Sequence, residues 1–499
     1  MLGIAHERRS LRAATEIIET KVRARAIPVA PYSDVYSSVT SRNPHNYSIG
    51  HADAGPLDFV MLVPVTVCLA ALVALVYILR VSGISLGLPI AYLASLLLIH
   101  VPGAVAYMLD SEGVLPSRVF TQIGIVFTAI GAVCFVVGVG LAHFKVQQPV
   151  PVAANRTLFN RFCLLGGWLV TTVAAVLSIP SIGAALQRGG VVWMLAIILA
   201  LRSALRSKDW AMGGKWLIAL AVYPILMLLI GGFLSYGIAA VMIVLSAVMI
   251  PVRSNLRIAG GTILATILGI SVFLSYFEHR SEIRRAVWGG AGVDTRIEAS
   301  MGAVKDISFF SARNPAHLQA LDLRLNQNYF AGLAASRIEA GKVDYLKGRS
   351  LWEGFLAFVP RALWPDKPVI AGSPKIVSEM TGLTLSKGTS FGVGNVMEFQ
   401  INFGIPGLII GFLLLGFILG RLDRLAAIAD LTGKLEQIFF YFIPAVALIQ
   451  PNGSIVEMAS GAAAAVAAAF AWRWAWLRWP KPGSRLSFAL RHRPLPQSL

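Results

Sequence analysis

Charged residues are scarce in this sequence. They make up 14% of its 499 residues, and mean hydropathy is +0.69. A soluble domain carries about a quarter, so this shortage excludes an ordinary soluble globular chain. Cysteine is rarer still: Cys68, Cys134 and Cys163 lie in or beside apolar runs, with no CxxC spacing and no neighbouring His. They read as small apolar side chains, which excludes a disulfide framework or a cysteine metal site. Short alternating segments are missing, which excludes a β-barrel. No apolar core follows the early arginines, so no secretory signal peptide is expected.

Acids are the scarcer charge, 25 against 43 Lys and Arg, for a net charge of +18. Such an excess can serve nucleic acid. In a chain this apolar, however, Lys and Arg belong in cytoplasmic loops and at phospholipid headgroups, so membrane lipids and no nucleic acid are the expected partners. The C-terminal stretch carries Arg473, Arg478, Lys481, Arg485, Arg491 and Arg493 with no acid. It reads as a cytoplasmic end held near anionic lipid.

What the chain has in abundance is long apolar runs. They fall at 58–79, 85–107, 119–142, 162–180, 189–201, 216–250, 257–277, 402–420, 436–450 and 455–477. The run 216–250 is too long for one crossing of about 20 residues, and Gly231-Gly232 near its middle suggests a hairpin. The expected fold is an all-α integral membrane protein with 10–12 transmembrane helices, 11 preferred. Residues 1–56 form a polar basic segment, in which 7–28 reads as a surface amphipathic helix or as disorder. About eight spans occupy 57–277, a large polar loop fills 278–398, three spans follow over 399–478, and 479–499 is a basic tail. Lys and Arg in the loops around Arg253 and 421–434 place those loops and the tail in the cytoplasm, and alternation then places 278–398 on the outer side.

That loop holds twelve of the 25 acids and fifteen of the 43 bases. A structureless loop so long would be unusual, so it should carry its own helices, at 317–341 and at 350–363, the second kinked or ended by Pro360. Next comes "FVPRALWPDKPVIAGSP" (358–374). Its prolines fix backbone angles and hold Arg361, Asp366 and Lys367 in a set frame. Trp364 suits a bilayer interface or stacking on a sugar ring. From the residues alone, a rigid interfacial turn with solvated charges is as good a reading as a binding ledge.

Three pieces in order, "FVPRALWPDKP" (358–368), "SKGTSFGVGNVMEFQ" (386–400) and "NFGIPG" (402–407), resemble the bacterial oligosaccharide repeat unit polymerases, the Wzy-type O-antigen polymerases. The close match covers about a fifth of the chain. One departure is the turn "GGFLSYG" (231–237), where relatives often carry an Arg. The resemblance implies a GT-C-like membrane glycosyltransferase of the bacterial inner membrane, with the large loop periplasmic. Its substrates would be oligosaccharides on undecaprenyl diphosphate, joined into O-antigen or exopolysaccharide without a nucleotide sugar or other cofactor. A chain-length regulator is an optional partner.

Against that reaction, negative charge builds on the leaving diphosphate. The loop has no DxD and no His/Asp cluster at ligand spacing, so metal-independent chemistry is expected. Fixed Arg and Lys groups are the other solution. Arg361 ranks first, Lys367 second, then Arg337 and Arg349. Glu398 is the candidate base for the acceptor hydroxyl, because partial desolvation at the membrane edge would raise its pKa. It is equally an acid favoured at a helix N-terminus. Asp366 and His317 are weaker candidates. Trp364, Trp352 and Gly394 are the expected glycan or lipid contacts, while Gly404 and Gly407 read as helix packing. A ligase acting on the same lipid, a transporter or flippase, and a scaffold subunit are the competing functions.

Overall fold

The computed structural model describes residues 59–480 except 112, 116–117, 145–148, 153, 178–188, 232–233, 253–254, 289–291, 306–308, 360–363, 365, 367–372 and 385–391. The basic segment 1–56, the tail beyond 480 and the centre of the 216–250 hairpin therefore lie outside the described residues. Every described helix belongs to one compact unit, Ala54–Gly382 with Gly388–Leu499. The other unit, Met1–Asp53 with Leu383–Lys387, contributes only Leu383 and Thr384 to the described residues.

The chain is helical throughout, with no strand among the described residues. The first half runs α1 (Phe59–Ser82), α2 (Leu88–Leu98), α3 (Val101–Leu109), α4 (Arg118–His143), α5 (Arg156–Leu177), α6 (Gly189–Ser207), α7 (Trp210–Gly231), α8 (Leu234–Met249) and α9 (Asn255–Trp288). The polar region supplies α10 (Val293–Lys305), α11 (Pro315–Leu325), α12 (Asn328–Glu339), α13 (Arg349–Ala357) and α14 (Ser373–Thr381). Then follow α15 (Asn395–Leu431), α16 (Leu435–Leu448) and α17 (Ile455–Arg478).

Among the described residues, six helices are long and apolar enough to cross a membrane: α1, Leu88–Leu109 (α2 with α3), α4, Gly190–Ser207 within α6, α15 and α17. Two shorter apolar helices, Gly237–Met249 and Leu435–Leu448, accompany them. Several spans are apolar all round. On α4, Ile125, Ala132, Phe135 and Val139 are buried while Val119, Val126, Val133, Val137 and Leu141 are exposed. An outer surface this apolar requires lipid rather than water. The chain is a multi-pass, all-helical membrane protein.

The centre of the bundle is the pair α4 and α15. They run parallel, with Phe412 lying on Gly131 and Phe135 on Gly416. The polar helix α12 docks on α4 nearer its start. A Cβ on Gly332 would lie 1.9 Å from Phe120 O, and one on Gly124 would lie 2.1 Å from Asn328 O. Only residues without a side chain let these two backbones meet, so the loop is fixed to the bundle through close backbone contact.

Two expected loop helices have other bounds. The 317–341 segment is two helices, because Asn326 and Asn328 at the break bond to the bundle instead of continuing the turn. Gln327 N donates to Ile99 O at 2.9 Å. The 350–363 helix stops at Ala357, ahead of Pro360, since a proline disfavours helical backbone in the residue before it. On α13 the buried face is Ser350, Gly354 and Ala357, and Ala357 packs with Val456 and Ala459 of α17. Its other face presents exposed Trp352 and Phe355, with stacked rings 5.6 Å apart.

Candidate functional site

The polar loop re-enters the bundle as a short buried half-helix. Gly394, at φ 73°, turns the chain into α15. Residues Asn395, Val396, Met397, Glu398, Ile401 and Asn402 are then all buried. The helix breaks at Phe403 and Gly404, where Gly404 has φ 63° and ψ −148°, backbone that belongs essentially to glycine. So the "NFG" of the sequence marks a break rather than the start of a span. Gly404 serves the break, and Gly407 packs against Phe399 O across it, rather than against another helix.

Asn402 ties this break to the loop. Its Nδ2 donates to Ser350 Oγ at 2.8 Å and to Glu398 O at 2.7 Å, while its Oδ1 accepts from Gly348 N at 3.0 Å. The carbonyls of Ile401 and Asn402, left without helical partners, accept from Leu346 N (2.9 Å) and Lys347 N (3.2 Å). Broken helices leave orphan carbonyls that must be satisfied inside a membrane. Here the backbone of 346–348 does it, which sets the first turn of α13 beside the half-helix.

Glu398 is fully buried at the middle of this arrangement. Its Oε2 accepts from Ile455 N at 2.7 Å, in the first turn of α17. Its Oε1 has no geometric hydrogen-bond partner among the described residues, and the Ser350 hydroxyl stands next to the carboxylate. The carboxylate is thus held by the N-terminal end of another helix, α17, which favours negative charge. Around it, Ser454 and Glu457 form a capping box on α17, and Ser373 Oγ donates to Glu457 Oε1 at 3.2 Å. Asn395 accepts from Tyr92 Oη at 2.7 Å, and its N–H donates to Pro451 O at 2.9 Å.

A second polar nest lies where α2 gives way to α3. Asn328 Nδ2 donates to His100 O (2.7 Å) and Asn326 Oδ1 (3.2 Å), so its Oδ1 is the acceptor for His100 Nδ1 at 2.7 Å. Thr128 Oγ1 stands 3.0 Å from both. Asn326 Nδ2 donates to Thr121 Oγ1 (2.8 Å) and to Asp322 Oδ1 (2.6 Å). Burial raises the pKa of Asp322, against the lowering pull of its bonds from Asn326 and Tyr107. Gln327 joins the two nests, since its Oε1 would lie 3.3 Å from a Cβ on Gly394.

The candidates from sequence separate here. Arg361 and Lys367 lie outside the described residues. Trp364 and Asp366 are both exposed. Arg349 makes a two-pronged pair with Glu379 at 2.7 and 2.8 Å, which raises its pKa. The Nε of Arg337 donates to Met380 O at 3.1 Å, closing the end of α14. Both arginines therefore have structural partners. His317 accepts from Ser311 N at 3.1 Å and shapes a turn. Trp352 lies on the exposed face of α13, and Gly394 opens the half-helix. Of the candidates, Glu398, Gly394 and the Arg349 end of α13 come together in one region.

Sequence reasoning missed Asn402, His100 and Asn328 as a framework. The signal available was one polar side chain standing alone in an apolar run, as His100 does. No cluster of three or more His, Cys, Asp or Glu able to hold a metal occurs among the described residues. Comparison with protein-family models, with curated proteins and with solved structures finds no match.

Proposed function

We propose that the protein is a membrane glycosyltransferase that polymerises oligosaccharide units carried on undecaprenyl diphosphate. The observation that carries the reading is the meeting of motif segments distant along the chain. Asn402 of "NFGIPG" clamps the start of the helix that leads into "FVPRALWPDKP", with Glu398 buried between them.

In this reading the bond from the anomeric carbon to the diphosphate breaks as a bond to the acceptor hydroxyl oxygen forms. The hydroxyl proton passes to Glu398 Oε1, and undecaprenyl diphosphate leaves with its negative charge met by Arg361 and Lys367. Trp352 and Trp364 offer rings to sugar or to lipid headgroups. The loop would face the periplasm, at the inner membrane.

A transport function is the second reading. It is favoured by two interrupted helices, α2/α3 at His100 and α15 at Gly404, whose buried polar residues adjoin. Discontinuous helices of this kind form substrate sites in transporters.

The deciding experiment replaces Glu398 by Gln, and separately Arg361 by Ala, in the producing cell, and follows polysaccharide length with protein level. Removing a general base costs on the order of 10²–10⁴-fold in rate. Single units on the outer-leaflet carrier are the expected result. Normal chain length in both variants would overturn the proposal, and units trapped on the inner leaflet would move the function to transport.

A further inference from the structure

The end of α15 remote from Glu398 carries a second, unrelated feature. From Gly404 to Leu431 the helix rises roughly 40 Å at about 1.5 Å per residue, more than the ~30 Å hydrocarbon layer. There a cavity of ≈ 460 Å³ opens between helix ends, lined by Arg80, Arg202, Arg206, Leu86, Pro251 and Asp430.

Its charges are held by neighbours on several helices. The Arg80 guanidinium donates to Met249 O at 3.2 Å and to Val252 O. Arg202, 9% exposed, donates through Nη1 to Ser85 O at 2.7 Å, and its Nε is buried without a hydrogen bond among the described residues. Arg206 is half exposed, with Nη2 4.0 Å from Asp430 Oδ2. That is the limit of a pair. Asp430 is already taken on its other oxygen by Arg156 Nε at 3.0 Å. The remaining acid, Asp423, is fully buried and accepts from Leu86 N and Leu88 N at 3.0 and 3.1 Å. Among the described residues, three guanidinium groups and one carboxylate line the cavity, and Arg156, outside that lining, shares the carboxylate.

We propose that this cavity binds a phosphate-bearing anion, at the opposite end of the bundle from the Glu398 site and independently of the polymerase reading. The planar forks of Arg match phosphate oxygens in a way that isolated ammonium groups do not. Carbonyl bonds fix Arg80 and Arg202 before any ligand arrives, so little side-chain freedom is lost on binding. The volume lies within the usual range for a small-molecule site, and it holds a phosphate with a glycerol or sugar attached. Two sources share that chemistry: the headgroup of an anionic phospholipid, and a soluble phosphate.

The test uses the full chain in nonionic detergent, with thermal unfolding followed against added phosphatidylglycerol or inorganic phosphate at constant ionic strength. Arg206→Gln changes the half-exposed member and leaves the buried frame intact. Arg206→Lys keeps the charge without the fork. Arg478→Gln alters an arginine seated over Trp474, away from the cavity. Losing one charged hydrogen bond weakens binding by about tenfold. Stabilisation by phosphatidylglycerol alone, about tenfold weaker in R206Q, intermediate in R206K and unchanged in R478Q, supports a headgroup site. The same pattern with inorganic phosphate supports a soluble phosphate. No stabilisation by either probe, or equal weakening in R206Q and R478Q, overturns the proposal.

Discussion

The two ends of α15 are built from different chemistry. Around Glu398 the buried polar groups are mostly neutral: Asn395, Asn402, Ser350, Tyr92, and the His100–Asn328–Thr128 nest beyond Gln327. Around Asp423 and Asp430 they are ions: Arg156, Arg202 and Arg206, with Arg424 donating to Ala142 O. The neutral end positions backbone, clamping one chain segment on another with side-chain amides. The ionic end positions charge, with Arg outnumbering Asp among the described residues. Glu398 thus lies beside another acid, Glu457, whereas Asp423 lies near Arg202.

The sharpest way to break this comparison is Asp423→Ala. It strips the acceptor from two buried backbone donors and leaves Arg202 with one carboxylate fewer. Unpairing buried charge costs about 3–5 kcal/mol, so the unfolding midpoint in a denaturing detergent titration should fall furthest in this variant. Asn402→Ala should cost less, about 2 kcal/mol for buried partners left unsatisfied, with little dependence on salt because no ion is lost. If Asn402→Ala proved the more damaging of the two, the ionic end would not be the more costly one to disturb.

The smallest expected effect concerns pH. Asp322 is a carboxylate whose pKa is raised by burial. Its contribution to stability is fully present below its unfolded value of about 4 and is lost as pH rises through the folded pKa. Asp322→Asn stays neutral, and its amide oxygen can still accept from Asn326. The variant should therefore gain stability relative to the native chain between pH 4 and pH 8. Equal melting curves across that interval would show that Asp322 ionises without consequence.

Six of the expected spans were legible because lipid demands long apolar runs, and two helical stretches of the polar loop because apolar residues recur there at helical spacing. What could not be read was the break in α15. "NFGIPG" looks like the threshold of a span, yet the chain has already made two turns of buried helix before it. The information lies in the carbonyls of Ile401 and Asn402 and their partners at Leu346 and Lys347, and backbone groups leave no mark in the sequence. Glu398 was legible as an acid at the edge of a polar loop. Its bond to Ile455 N was not, for the same reason. Pro360 correctly announced the end of α13. The division of the expected 317–341 helix was not legible, because the side chains of Asn326 and Asn328 serve the bundle rather than their own helix.

The bonds at the broken helix also imply a schedule. Residues 346–348 precede α15 along the chain, so at the ribosome the segment that receives the half-helix is made before the half-helix itself, and chains are completed from the N-terminal side. Ile455, the donor to Glu398, is synthesised 57 residues after it. For that interval the polymer holds a finished clamp and an unanswered carboxylate. The last of the described helices to emerge, α17, therefore supplies that donor, and a chain that terminated before it would carry Glu398 without it.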